Sequence, residues 1–214
     1  MEFFHRRAGL PERLGVLPGT FNPVTVAHMA LAQAALSKVD EVLFVLPRVF
    51  PHKEYTGVDF ATRLQILRSA VSGAGPFSVA CSEGGLFLEI ARDCRAAYGE
   101  HVHLAFVCGR DAAERIVDWD YGYPAARTDM LREFNLLVAA RQGEYQPPAE
   151  VAHAIDRLDM DAAWAPVSAS EVRRRIAAGQ AWEELVPRAV HELVRSAYCP
   201  DLGTRSAHSR QDRL

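Results

Sequence analysis

The sequence lacks the marks of a chain made for a membrane, an oxidising compartment or a nucleic acid. Its 214 residues hold four cysteines, at positions 81, 94, 108 and 199, with no CxxC pair. Thiols spaced that widely suit a reducing compartment better than a disulfide or zinc framework. No apolar run approaches the ~20 residues that a membrane helix needs; the longest are short, as in Val42-Leu43-Phe44-Val45-Leu46. The N-terminal MEFFHRRAGLPER has no apolar core before a small-residue cleavage site, so no secretion signal is expected. A net charge of −3 gives no general electrostatic case for nucleic acid or an anionic membrane. Internal repeats and low-complexity linkers are missing too. These absences predict a cytoplasmic protein with one domain over residues 1–198 and a polar, unpatterned tail over 199–214.

What the chain does have is alternation. Short apolar runs at 13–18, 41–47, 77–82, 102–108, 135–140 and 162–167 read as strands. Helical patterns fall between them near 26–38, 59–72, 86–98, 110–118 and 150–158. Two more helices are expected in SEVRRRIAAG and AWEELVPRAVHELVRSAY, and long loops at 47–58 and 119–131. Runs such as VHLAFVC and FNLLVAA are continuous rather than alternating, as in strands buried on both faces. The reading is therefore α/β: a Rossmann-like, doubly wound, mainly parallel sheet of five to six strands, with helices on both faces and a C-terminal helical segment.

In such a sheet, ligands bind at the carboxyl ends of the strands. There the sequence places GTFNPVTVAH (19–28), Lys53 with His52, Gly109-Arg110-Asp111, Arg141, and Ser168-Ala169-Ser170 with Arg173. A rim of small residues, hydroxyls and cations suits an anion. Gly19 permits a sharp turn, and the N–H groups of Thr20, Phe21 and Asn22 are candidates for a phosphate cradle. His28 falls in the first turn of the next helix, where unpaired N–H groups favour negative charge. The chain has neither GxGxxG after its first strand nor GxxxxGK[ST], which argues against a dinucleotide oxidoreductase and a P-loop enzyme.

These residues resemble a known family. Gly19-Thr20-Phe21-Asn22-Pro23-Val24-Thr25-Val26-Ala27-His28 is similar to the G-[ST]-F-[DN]-P-x-[TH]-x-x-H signature of the nucleotidyltransferases related to class I aminoacyl-tRNA synthetases. Ser168-Ala169-Ser170-Glu171-Val172-Arg173 resembles their second motif, [ST]-x-[ST]-x-x-R. The match looks closest to nicotinate- or nicotinamide-mononucleotide adenylyltransferase through PRVFPHK (47–53), FVCGRDAAERIVDW (106–119), LLVAARQG (136–143) and LVPRAVHELVRSAY (185–198).

The resemblance implies transfer of AMP from ATP to the 5′-phosphate of a pyridine mononucleotide, with release of pyrophosphate in NAD biosynthesis. His28 and Arg173 would stabilise charge on the phosphates, and Thr25 would contact phosphate through its hydroxyl. Gly19, Thr20, Phe21, Asn22, Lys53, Arg141, Ser168 and Ser170 would bind ATP. Gly109, Asp111 and Trp119 would meet the acceptor nucleotide. Mg²⁺ would arrive on the triphosphate, with no protein metal site. Neither nucleic acid nor membrane is implied, and a homo-oligomer stays open. Plainer readings compete: Ser168 and Glu171 also match a capping box, Asp111 a helix cap, Trp119 core packing and Lys53 a loop cation. Val172 and Ile176, four apart, should face the core. Ala27, Gly85-Leu86-Phe87 and Asp120 depart from residues usual in the family. Two alternatives therefore remain at this stage: the same fold acting on another phosphorylated small molecule, and a non-catalytic nucleotide-binding homologue.

Overall fold

The computed structural model describes residues 1–49, 57–118, 125–139, 145–164 and 166–199. Seven strands form its sheet: β1 (Glu2–His5), β2 (Arg13–Pro18), β3 (Glu41–Pro47), β4 (Phe77–Ser82), β5 (His103–Gly109), β6 (Asn135–Ala139) and β7 (Ile155–Leu158). Their order is β1-β4-β3-β2-β5-β6-β7, parallel throughout except for β1, which runs antiparallel to β4. Helices α1 (Val26–Ala35), α2 (Phe60–Val71), α3 (Phe87–Tyr98), α4 (Arg110–Asp118), α5 (Ala126–Glu133), α6 (Ala169–Ala177) and α7 (His191–Tyr198) complete the main elements.

The continuous apolar strands are continuous because they serve two cores. Along β3, Val42, Phe44 and Leu46 point into one core with α1, α2, α6 and α7, while Leu43 and Val45 point into the other with α3, α4 and α5. Every residue of β3 and β4 is buried, as expected for inner strands of a covered parallel sheet. The thiols follow the same rule. Cys81, Cys94 and Cys108 are buried and Cys199 half-buried, all of them free, and burial pushes the Cys94 thiol up to about 12.

Chain order and strand order part at β2. The chain runs outward through β2, β3 and β4, then returns to the other side of β2 with β5 and continues outward to β6 and β7. The reversal opens a crevice at the carboxyl ends of β2 and β5, which lie side by side.

Several expectations need correction. The last strand is Ile155–Leu158, not 162–167, where Ala162–Trp164 makes a 3-10 turn. The helix expected over 150–158 is a 3-10 turn at Ala152–Ala154 followed by that strand. Val151, Ala154 and Leu158 are buried, so the helical spacing marked real core contacts but the wrong backbone. Strand β1 was not anticipated; it is a four-residue edge strand whose Phe3 and Phe4 are only half-buried. Part of the loop expected at 119–131 is α5, which buries Met130 and Leu131. The final helical stretch is broken at Pro187 into two 3-10 turns and α7, because proline has no N–H to continue the ladder.

Candidate active site

The segment that follows β2 makes the principal structural features of the site. Gly19 is not the residue in a left-handed conformation; that is Phe21, at φ 42°. Gly19 answers to crowding instead, since a Cβ there would stand 3.0 Å from the Phe21 ring. A bulky residue in the left-handed region costs about 1–2 kcal/mol. The surrounding core holds it in place. Phe21 is buried against Phe44, with ring centroids 5.7 Å apart, and lies edge-on to His28 at 5.3 Å.

Thr25 ends this loop and caps α1, with His28 at the third helical position. The Thr25 N–H donates to His28 Nδ1 over 3.0 Å, and Thr25 Oγ1 lies 2.8 Å from the same nitrogen. The pair is a capping box in which imidazole replaces the usual Glu or Gln. An N–H is a donor only, so neutral imidazole must present Nδ1 as acceptor and carry its proton on Nε2. Thr25 is fully buried. Its hydroxyl lies against the imidazole.

Two arginines, buried Arg63 and exposed Arg173, hold the loop's carbonyls. Arg63 Nη1, on α2, donates to the Thr20 carbonyl at 2.7 Å, and Arg63 Nε donates to Val58 O at 3.1 Å. Arg173 Nη1, on α6, donates to the Asn22 carbonyl at 2.5 Å, while its Nη2 donates to Ser170 Oγ at 3.2 Å. Tyr198 Oη, at the end of α7, donates to Asn22 Oδ1 at 2.5 Å. Gly19 N–H is spent on Val45 O at 3.0 Å. The N–H groups of Thr20, Phe21 and Asn22 meet no acceptor among the described residues. Three successive unspent amides at a helix entrance are the makings of an anion cradle.

The second motif is built around a helix start. Ser168 caps α6 by accepting from Glu171 N at 3.1 Å, which leaves its O–H as a donor. Glu171 is tied to Arg174 and Arg175, at 2.7 and 2.9 Å, and their hydrogen bonds hold its carboxyl down at about 2. Of the three consecutive arginines, only Arg173 reaches the first motif, and Val172 is buried with Ile176 packed on the same core. Gly109 closes β5, and exposed Asp111 lies in the first turn of α4, across the crevice from the loop after β2. Lys53, Arg141 and Trp119, with His52 and Asp120, lie outside the described residues.

Sequence reasoning missed Arg63 and Tyr198. The signal for Arg63 was present: it interrupts the apolar stripe Phe60, Leu64 and Leu67, where an arginine must have a buried partner. Tyr198 gave no comparable signal.

A cavity of about 380 Å³ opens at the opposite end of the strands, among Arg13, Lys38, Arg95, His103, Arg132 and Asp156. Among the described residues no group of three His, Cys, Asp or Glu side chains converges to hold a metal, and no helix is long and apolar enough to cross a membrane.

Comparison with known proteins follows this geometry. The cytidylyltransferase-like family model matches residues 16–175. The chain is 33% identical to a "Probable nicotinate-nucleotide adenylyltransferase" of Solibacter usitatus, over 82% of this chain and 93% of the relative. It is 30% identical to a protein of the same name from Moorella thermoacetica, over 87% and 90%. In fold it is similar to Plasmodium falciparum nicotinic acid mononucleotide adenylyltransferase complexed with NaAD, with a TM-score of 0.65 at 16% identity, covering 86% of this chain and 95% of that one.

Proposed function

This chain belongs to the cytidylyltransferase-like family, and from that premise we propose that it is a nicotinate-nucleotide adenylyltransferase. It transfers AMP from ATP to the 5′-phosphate of nicotinate mononucleotide. A phosphate oxygen of the mononucleotide attacks the α-phosphorus of ATP, the bond from that phosphorus to the bridging oxygen breaks, and pyrophosphate leaves. The observation that carries the reading is the hydrogen bond from Arg173 to the Asn22 carbonyl. It joins the two distant motifs around one loop whose amides at 20–22 meet no acceptor among the described residues.

No covalent intermediate is needed, so the work is positioning and charge stabilisation. The amides of Thr20, Phe21 and Asn22 receive phosphate oxygens. His28 donates through Nε2, the nitrogen that the Thr25 contact leaves protonated. Arg173, with two donors committed and the rest of its planar fork available, holds the departing pyrophosphate with Ser168 and Ser170. Across the crevice, Gly109 and Asp111 face the acceptor's ribose, and Trp119 stacks on its pyridine ring. Lys53 and Arg141 supply further positive charge to ATP. Mg²⁺ would come with the triphosphate, keep most of its waters and offset phosphate charge.

An acceptor panel tests this. The protein is incubated with Mg-ATP and, in parallel, nicotinate mononucleotide, nicotinamide mononucleotide, phosphopantetheine or flavin mononucleotide, and pyrophosphate is measured. Release is expected with nicotinate mononucleotide. Release with phosphopantetheine or flavin mononucleotide alone would move the chain to another acceptor. ATP binding without release in any arm would make it a non-catalytic homologue.

A further inference from the structure

The carbonyl of Thr20 and the N–H of Phe21 belong to one peptide unit. That unit is planar and trans, so the two groups point in opposite directions. Whatever fixes the carbonyl therefore fixes the amide. The group that does so is Arg63 Nη1, at 2.7 Å, on a side chain only 3% exposed. The Asn22 carbonyl held by Arg173 has no such counterpart, because the next residue is Pro23, which lacks an N–H. Arg63 is thus placed to control the direction of a loop amide in a way Arg173 is not.

We propose that Arg63 is a positioning residue for nucleotide transfer: it aims the Phe21 amide into the phosphate cradle. The inference rests on the functional reading above. Two features beyond that one contact, and one effect of the contact itself, support it. Phe21 sits at φ 42°, off the favoured backbone minima, so its peptide needs an outside restraint to hold one orientation. The same guanidinium takes Val58 O at 3.1 Å, which anchors it at the start of α2 and keeps it from following the loop. A charge-assisted bond to the carbonyl also polarises the peptide unit, which makes its N–H a stronger donor to an anion. A lysine reaches one carbonyl as a point charge and lacks the planar fork that spans both.

The test compares wild type with Arg63→Lys and Arg63→Met by thermal unfolding, Mg-ATP binding by calorimetry and steady-state kinetics. For folded Arg63→Lys, the expected result is a tenfold or greater loss in ATP affinity or in kcat. The Michaelis constant for nicotinate mononucleotide should stay within twofold. Arg63→Met should lose at least as much, and guanidinium chloride added at millimolar concentration should restore part of it. If Arg63→Met does not fold, Arg63→Lys decides alone. A folded Arg63→Lys with wild-type ATP binding and kcat would overturn the inference, and so would a loss confined to melting temperature. A wild-type protein that binds ATP but does not turn over nicotinate mononucleotide would defeat the functional reading, while ATP affinity would still judge Arg63. A wild type that binds no ATP would overturn both.

Discussion

The two ends of the parallel sheet are both rich in arginine, and they are built in opposite ways. At the amino ends of the strands, the cavity's arginines are paired with acids: Arg13 with Asp40, Arg95 with Glu133 and Arg132 with Asp129, each at 2.9 Å. The bond to Arg13, chiefly from its backbone N–H, holds the Asp40 carboxyl below its usual range. At the carboxyl ends, Arg63 and Arg173 donate to backbone carbonyls, and successive amides of the same loop meet no acceptor among the described residues. The positive charge of the first end is largely answered within the fold. The second end keeps directional donors in reserve, where an anion gains most from them. Counting cations does not locate a site. Donors without an acceptor are the stronger pointer.

That contrast can be broken or sharpened by substitution, beginning where the largest effect is expected. His28→Ala should lower kcat roughly a hundredfold or more, the range seen when one transition-state donor is removed, with the fold intact and melting temperature lowered only by the lost capping contact to Thr25. A rate near wild type would remove His28 from the chemistry. Arg173→Lys keeps the charge but loses the fork; kcat/KM for ATP should fall roughly ten- to a hundredfold. Tyr198→Phe deletes the hydroxyl on Asn22 Oδ1 and should cost a few-fold in the same quantity, on the order of 1 kcal/mol for one hydrogen bond. No change there would leave α7 a packing element only.

The next effect is one of stability. The Glu171 carboxyl is held at about 2 against an ordinary 4.5. Because the folded-state value is depressed, its contribution is fully present above 4.5 and is lost as pH falls toward 2. Melting temperatures of wild type and Glu171→Gln should differ most above that range and converge as the solution becomes more acidic. The difference should be small, since the carboxyl and its arginines are partly exposed and screened. Smallest of all, Arg132→Ala at the amino end should leave kcat/KM within about twofold and stability within roughly 0.5 kcal/mol. A large loss of activity there would erase the contrast between the two ends.

Much of this architecture was legible in the chain. The runs at 41–47 and 77–82 read as strands, and both are strands buried along their whole length. The short edge elements were less legible. Strand β7, Ile155–Leu158, buries little, so its pattern is too brief to separate from the helical spacing around it. Strand β1 is held by pairing with β4, a partner far along the sequence. In the site, the motif residues announced themselves, but the job of Thr25 did not. That its hydroxyl and N–H both meet the His28 ring is seen only in the structure.

The sequence by itself determined the class of fold, the loop and helix start that carry His28, and the second segment that carries Arg173, because these depend on local turn chemistry and apolar periodicity. Only the tertiary structure decided where the loop's donors point. Arg63 and Thr20 are 43 positions apart, Arg173 and Asn22 are 151, and Tyr198 and Asn22 are 176. Bonds across such distances exist only after the sheet has reversed at β2 and closed both cores around it. The direction of an amide is set by whatever holds the carbonyl on the other side of its peptide plane, and nothing in the local sequence specifies that partner.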